Sequence, residues 1–156
     1  MTQQNPVVDR RSKSILGIDD SWEMQAILHA TINGAGYTYV AAHDGAEALD
    51  IIAAREPLHV ILLDVQMPGM DGYEVCKLIR ANPKGKRVPI IFLTVNNTVG
   101  DLEKCKAAGG NAFIVKPFNA KTLIRHLDHW STQLIKPAAR LESAAPAPAP
   151  DTAKAS

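Results

Sequence analysis

Cysteine is scarce in this chain: Cys76 and Cys105 are the only two among 156 residues, far apart and in no metal-ligand spacing. Such a pair supports neither a disulfide framework nor a zinc site, and it suits a reducing compartment. The plain expectation is two small core-side residues on different helices. Charge of one sign is missing too, since Lys+Arg 17 nearly balances Asp+Glu 16 for a formal net charge of +1. A nucleic-acid binder carries a clustered basic excess, so no nucleic-acid partner is expected. No apolar run approaches the roughly 20 residues of a membrane span. The polar stretch from Met1 to Lys13 has no apolar core of signal-peptide length. No membrane partner and a cytoplasmic location are the default expectations. What is present is a 46% apolar fraction and a length that fit one globular domain.

Short, wholly apolar runs alternate with helical patterns. The runs are Ile15-Leu16-Gly17-Ile18, Tyr37 to Ala42, Val60 to Leu63, Ile90 to Leu93 and Ala112 to Val115. Runs without polar alternation read as strands buried on both faces, hence a parallel sheet sandwiched by helices. Between them, Met24, Ile27, Leu28, Thr31 and Ala35 form a helical stripe that Gly36 stops. Asp44 and Glu47 have capping-box spacing, and Asp71 can cap a helix carrying Val75, Leu78 and Ile79. A weaker segment, Gly100 to Ala108, ends at Gly109-Gly110, and the last helix shows Leu123, Leu127, Trp130 and Leu134. Five βα units with right-handed crossovers make a doubly wound α/β fold of five parallel strands and five helices. Residues 1–12 read as a disordered arm, 13–135 as the domain, and 136–156 as a disordered Ala/Pro-rich tail in which nothing supports a packed core.

In a doubly wound sheet the carboxyl ends of the strands open into the ligand crevice. Polar residues stand where the apolar runs end: Asp19 and Asp20 after the first, Asp64 after the third, Thr94 after the fourth, Lys116-Pro117 after the fifth. Three crowded carboxylates repel, and a bound cation relieves that. All-oxygen donors of this kind suit Mg2+. Asp64 ends a central strand and is the best placed of the three to act as a fixed nucleophile. Lys116 brings a compact positive charge and Thr94 a neutral donor, which together meet most of what phosphoryl transfer asks of a protein.

The blocks ILGIDDS, ILLDVQMPGMDGYE, FLT and AFIVKPF, in this order and at these intervals, resemble those of CheY-like response-regulator receiver domains. The resemblance covers Lys13 to about Ile135. It implies a flavodoxin-like sheet of order 2-1-3-4-5, with Asp64 as phosphoacceptor. It further implies Asp20 as a direct metal ligand, Asp19 as one acting largely through water, and the backbone carbonyl of Gln66 completing the Mg2+ site. Lys116 would pair with the phosphoryl oxygens, a cis Lys116-Pro117 bond is usual, and Thr94 and Phe113 resemble the switch pair. The implied partners are a sensor histidine kinase, a histidine phosphotransfer protein, or both, together with a downstream protein target. Many relatives dimerise through the fourth helix, fifth strand and fifth helix; the polar Gly100–Ala108 segment is compatible with a homodimer of that kind.

Two positions depart from the family's pattern. Val95 stands where Ala, Gly or Ser is usual, and its stiff branched side chain is expected near the pocket mouth. Gly17 stands where a branched residue is more common, which implies that another side chain packs closely there. Taken singly, each Asp would read as a helix cap, Phe113 as core, and Trp22 as a packing residue. The five histidines, His29, His43, His59, His126 and His129, show no ligand spacing and are expected on the surface.

The expected function is therefore a stand-alone receiver that switches protein contacts when Asp64 is phosphorylated, and not an enzyme beyond catalysing its own phosphorylation and dephosphorylation. An aspartate-nucleophile phosphatase needs a second carboxylate two residues on, where this chain has Gln66. A flavodoxin-like FMN binder would not put Asp19-Asp20 where phosphate sits. A phosphorylation-independent adaptor is the alternative that Val95 keeps open.

Overall fold

The computed structural model describes residues 9–54 and 57–133. Five strands, β1 (Ser14–Ile18), β2 (Thr38–Ala42), β3 (Val60–Asp64), β4 (Ile90–Thr94) and β5 (Ala112–Val115), alternate with five helices. These are α1 (Trp22–Gly34), α2 (Gly45–Ala54), α3 (Gly72–Ala81), α4 (Val99–Ala108) and α5 (Ala120–Ser131). The strands form one all-parallel sheet of order β2-β1-β3-β4-β5. The doubly wound architecture and strand order match the expectation.

Both sheet faces are dry, as the unbroken apolar runs require. On one face Leu16, Ile18, Ile61, Leu63, Ile90 and Phe92 pack under α2, α3 and α4. On the other, Ile15, Leu62, Ile91, Leu93 and Ile114 meet Leu28 and Ile32 of α1 and Leu123 and Leu127 of α5. Cys76 and Cys105 are buried on α3 and α4. Burial pushes their thiols up to about 11 and about 12, so both stay protonated and inert at neutral pH.

Local chemistry sets the helix ends. Ser21, Asp71, Thr98 and Asn119 each accept a backbone N–H three residues on, at the starts of α1, α3, α4 and α5. Glu47 donates its N–H to Asp44 and accepts from the N–H of His43, so the expected capping box forms with its return bond one residue earlier. The Gly36 stop is real, with φ 106°, and Gly109 at φ 109° ends α4.

Several expectations fail in detail. The inward face of α1 is Gln25, Leu28 and Ile32, while Ile27 is exposed, because the helix begins at Trp22 and a polar residue occupies a core position. Leu78 of α3 is likewise exposed and Cys76 takes its place inside. The arm assigned to residues 1–12 is tied down at its end: Arg10 bonds both carboxylate oxygens of Asp128 and the carbonyl of Ala35. Leu134 and the Ala/Pro tail over 136–156 lie outside the described residues. Trp22, expected to pack, is 75% exposed and stacks on His43 at 4.2 Å. His29 and His129 are exposed as expected, whereas His43, His59 and His126 are half-buried. His59 Nδ1 accepts from the N–H of Ser14, and burial holds its pKa below the ordinary histidine value.

Candidate functional site

The parallel sheet aims the ends of β1, β3, β4 and β5 at one rim. Asp64 is the last residue of β3, and Asp19 follows β1, its N–H donating to the carbonyl of Ala42 at 3.1 Å as if the strand ran one residue further. Carboxylate oxygens of Asp19, Asp20 and Asp64 lie within 4.8 Å of one another. Asp19 and Asp64 are buried and Asp20 is exposed. Lys116, just past β5, donates to Asp64 Oδ1 at 2.9 Å and sits 3.6 Å from Asp19 Oδ2. The Lys116-Pro117 peptide is cis.

The charges do not balance. One ammonium faces three carboxylates, two of them out of water. Burial and the carboxylates of Asp19 and Asp20 raise the pKa of Asp64, against the hydrogen bond and charge of Lys116, which lower it. Asp19 Oδ1 accepts the N–H of Ser21 at 2.9 Å, but the buried Oδ2 has no hydrogen-bond partner among the described residues. An orphaned buried carboxylate oxygen is costly unless something positive reaches it. Three convergent oxygen donors, one without a partner, fit a hard divalent cation such as Mg2+.

Among the described residues, the side chains of the other expected residues make no hydrogen bond to this cluster. Thr94 ends β4 and its hydroxyl is engaged with its own loop, donating to the Asn96 carbonyl (3.1 Å) and accepting from the Asn96 N–H (2.9 Å). Phe113 is half-buried on β5, beside Phe92 in register, and packs against the core under α4. The Gln66 side chain is exposed and lines a shallow recess with Asn96, Asp101 and Lys104. Val95 is 55% exposed at the rim.

Two features escaped the sequence reading. Gly72 opens α3 directly against the end of β3, where an added Cβ would lie 2.3 Å from the Asp64 carbonyl oxygen. Its N–H donates to the Val65 carbonyl at 2.8 Å, so this glycine lets the helix brace the backbone of Asp64. It lies in the stretch ILLDVQMPGMDGYE, where the signal is a glycine directly after a helix-capping Asp. The second feature is a buried pair behind Asp19, Gln25 and Tyr39. A glutamine among apolar helix positions was the only hint of it. By contrast, the close packing expected at Gly17 is there: an added Cβ would come within 2.0 Å of the Tyr39 hydroxyl.

Comparison with known proteins agrees with this geometry. The model of the response regulator receiver domain matches residues 15–128. Response regulator MprA of Mycobacterium bovis (strain BCG / Pasteur 1173P2) is 36% identical over 116 residues, covering 74% of this chain and 49% of that protein. The chain spans about half the length of the curated relatives it matches. The solved chemotaxis protein CheY4 of Vibrio cholerae aligns with a TM-score of 0.73 at 35% identity, over 76% of this chain and 98% of that one. The receiver domain of sensor histidine kinase PA1611 from Pseudomonas aeruginosa PAO1 aligns at 0.70 and 37% identity, over 76% and 97%; its structure has a magnesium ion coordinated in the active site cleft. With its family model spanning both sheet faces and the acidic rim, this chain belongs to the response regulator receiver domains of two-component signalling.

Proposed function

We propose that Asp64 accepts a phosphoryl group from a phosphohistidine on a sensor histidine kinase or histidine phosphotransfer protein, and that the phosphorylated domain changes its contacts with a downstream protein. The observation that carries this is the buried Asp64 carboxylate, gripped through Oδ1 by Lys116 at 2.9 Å and facing the carboxylates of Asp19 and Asp20. Among the described residues nothing hydrogen-bonds Asp64 Oδ2, so that oxygen is the attacking atom. The O–P bond forms as the P–N bond breaks, and the donor imidazole departs with the electron pair.

Asp19, Asp20, Asp64 and the Gln66 carbonyl would hold Mg2+, which supplies charge neutralisation for the phosphoryl oxygens. Lys116, already between Asp64 and Asp19, neutralises a further oxygen without moving far. Thr94 must release the Asn96 carbonyl before its hydroxyl can donate to the phosphoryl group. That exchange frees the loop before α4, and Phe113 can then turn inward behind it. Phosphorylation thereby favours one of two arrangements of the α4 face, where Val99 is exposed. Beyond taking the phosphoryl group and losing it to water, the domain performs no catalysis.

The test is incubation with Mg2+ and a small phosphodonor, read by intact mass. Wild type gains one phosphoryl group, and the gain disappears in Asp64→Asn and in the presence of a chelator. An adduct on Asp64→Asn would exclude Asp64 as the acceptor, and no adduct on wild type would favour a phosphorylation-independent adaptor.

A further inference from the structure

Behind Asp19 lies a polar device inside an otherwise apolar layer. Gln25 projects from α1 into the point where β1 and β2 end. Its Nε2 faces three backbone carbonyls: Gly17 at 3.2 Å, Asp19 at 3.0 Å and Ala42 at 2.9 Å. Its Oε1 accepts the Tyr39 hydroxyl at 2.5 Å. Tyr39 comes from β2, its ring laid over Gly17, where any side chain would collide with it. Both residues are buried, and burial followed by the Asp19 charge raises the Tyr39 pKa far above the ordinary phenol value. In this bond the hydroxyl is the donor, because the amide oxygen of Gln25 can only accept.

The consequence falls on one backbone unit. The Asp19 N–H is held by the Ala42 carbonyl and the Asp19 carbonyl by the Gln25 amide. Ser21 N–H then holds Oδ1. With the main chain fixed on both sides and one carboxylate oxygen bound, the buried Oδ2 is left 3.6 Å from Lys116 Nζ, with no hydrogen-bond partner among the described residues. Tyr39 decides which way the Gln25 amide faces: without its hydroxyl, Oε1 is a buried acceptor with no donor, and the amide gains nothing by keeping Nε2 toward Asp19.

We propose that Tyr39 and Gln25 are positioning residues that set the affinity of the acidic site for Mg2+ by fixing Asp19. The inference rests on the acidic cluster being the metal site of the proposed phosphoryl transfer. Partners that orient a metal ligand from behind are worth 10- to 100-fold in affinity, and Asp19, nearly all of whose freedom is removed by this network, is such a ligand.

The test is Mg2+ titration of the full chain by isothermal calorimetry, for wild type, Tyr39→Phe and Gln25→Met, with thermal unfolding in chelator alongside. Tyr39→Phe removes one hydroxyl, and Gln25→Met keeps the side-chain length without donors. We expect the Mg2+ Kd to rise about tenfold in each. The Mg2+ concentration giving half-maximal phosphorylation by a small donor should rise in parallel, while the rate of Tyr39→Phe at saturating Mg2+ returns to the wild-type level. Folded variants with unchanged Mg2+ affinity overturn the proposal, even where unfolding temperature has dropped, since that is the mark of a purely structural pair. If wild type binds Mg2+ and is phosphorylated but the variants match it, this inference alone fails. If wild type binds no Mg2+, the proposed function fails and the inference falls with it.

Discussion

Arg10 and Asp128, 118 positions apart, form a two-toothed ion pair, Nε to Oδ1 at 2.9 Å and Nη2 to Oδ2 at 2.7 Å. The Tyr37 hydroxyl adds a bond to the same Oδ1 at 2.6 Å, and the guanidinium lies over the Tyr37 ring. The segment before β1 is thus fastened to α5 and to the end of α1. Burial alone raises the Asp128 pKa, but the bonds from Arg10 and Tyr37 outweigh it and hold the carboxylate below its usual value.

That gives a pH-dependent contribution of known sign. A depressed folded pKa stabilises above the unfolded value, and the gain is lost as pH falls through the folded pKa. Asp128→Asn should therefore be less stable than wild type at pH 7, by about 1 kcal/mol given that the pair is roughly one-third exposed. The two proteins should converge as the pH drops below the carboxylate range. Urea unfolding at neutral and acidic pH measures both, and a gap that persists in acid would assign the loss to shape rather than charge.

Sequence patterning located the strands and the rim because these rest on strong local signals, unbroken apolar runs and acidic residues at their ends, whereas the strand order came only with the family resemblance. It also flagged Gly17 as anomalous. It implied a close side chain there but could not name it, since Tyr39 meets Gly17 only through the pairing of β1 with β2, and the two lie far apart along the chain. The stripe on α1 was misjudged for a related cause: Gln25 is buried because three carbonyls and a hydroxyl await it, and apolar periodicity is blind to such partners. Arg10 was assigned to an arm because its partner stands at the far end of the domain. Long-range polar pairing is what a single sequence hides most completely.

Gly17 supplies the second prediction. A valine there would drive two methyl groups into the Tyr39 ring and hydroxyl, and overpacking of this kind costs about 3 kcal/mol. Replacing Tyr39 with valine as well should remove the collision. A double-mutant cycle by urea unfolding should then give a favourable coupling of about 1 kcal/mol or more. Additive losses would mean that the sheet relaxes around Gly17→Val without meeting Tyr39.

Val95 governs the third. It is exposed and directly follows Thr94, the last residue of β4. Trimming it should admit water and donor more readily. Val95→Ala is expected to speed loss of the phosphoryl group about threefold, equivalent to ~0.7 kcal/mol of barrier. Time-resolved intact mass after removing the phosphodonor reads this directly. Equal lifetimes would show that access at the rim is set elsewhere.

The last prediction concerns the unbalanced charge at the rim. Burial and two neighbouring carboxylates raise the Asp64 pKa despite Lys116, so the ionised Asp64 weakens the fold. For an acid whose folded pKa is raised, stability falls as pH climbs from the unfolded to the folded value and stays reduced above it. Asp64→Asn removes that cost, so in chelator at pH 7 it should unfold above wild type, since ~1 kcal/mol moves Tm by a few degrees in a domain of this size. Added Mg2+ should reverse the order. At ten times its Kd the ion contributes about 1.4 kcal/mol to wild type by mass action, while the variant, short of one charged ligand, gains far less. Thermal unfolding with and without Mg2+ tests both halves together. A variant that loses stability in chelator would mean that the Lys116–Asp64 bond, and not carboxylate repulsion, dominates the rim.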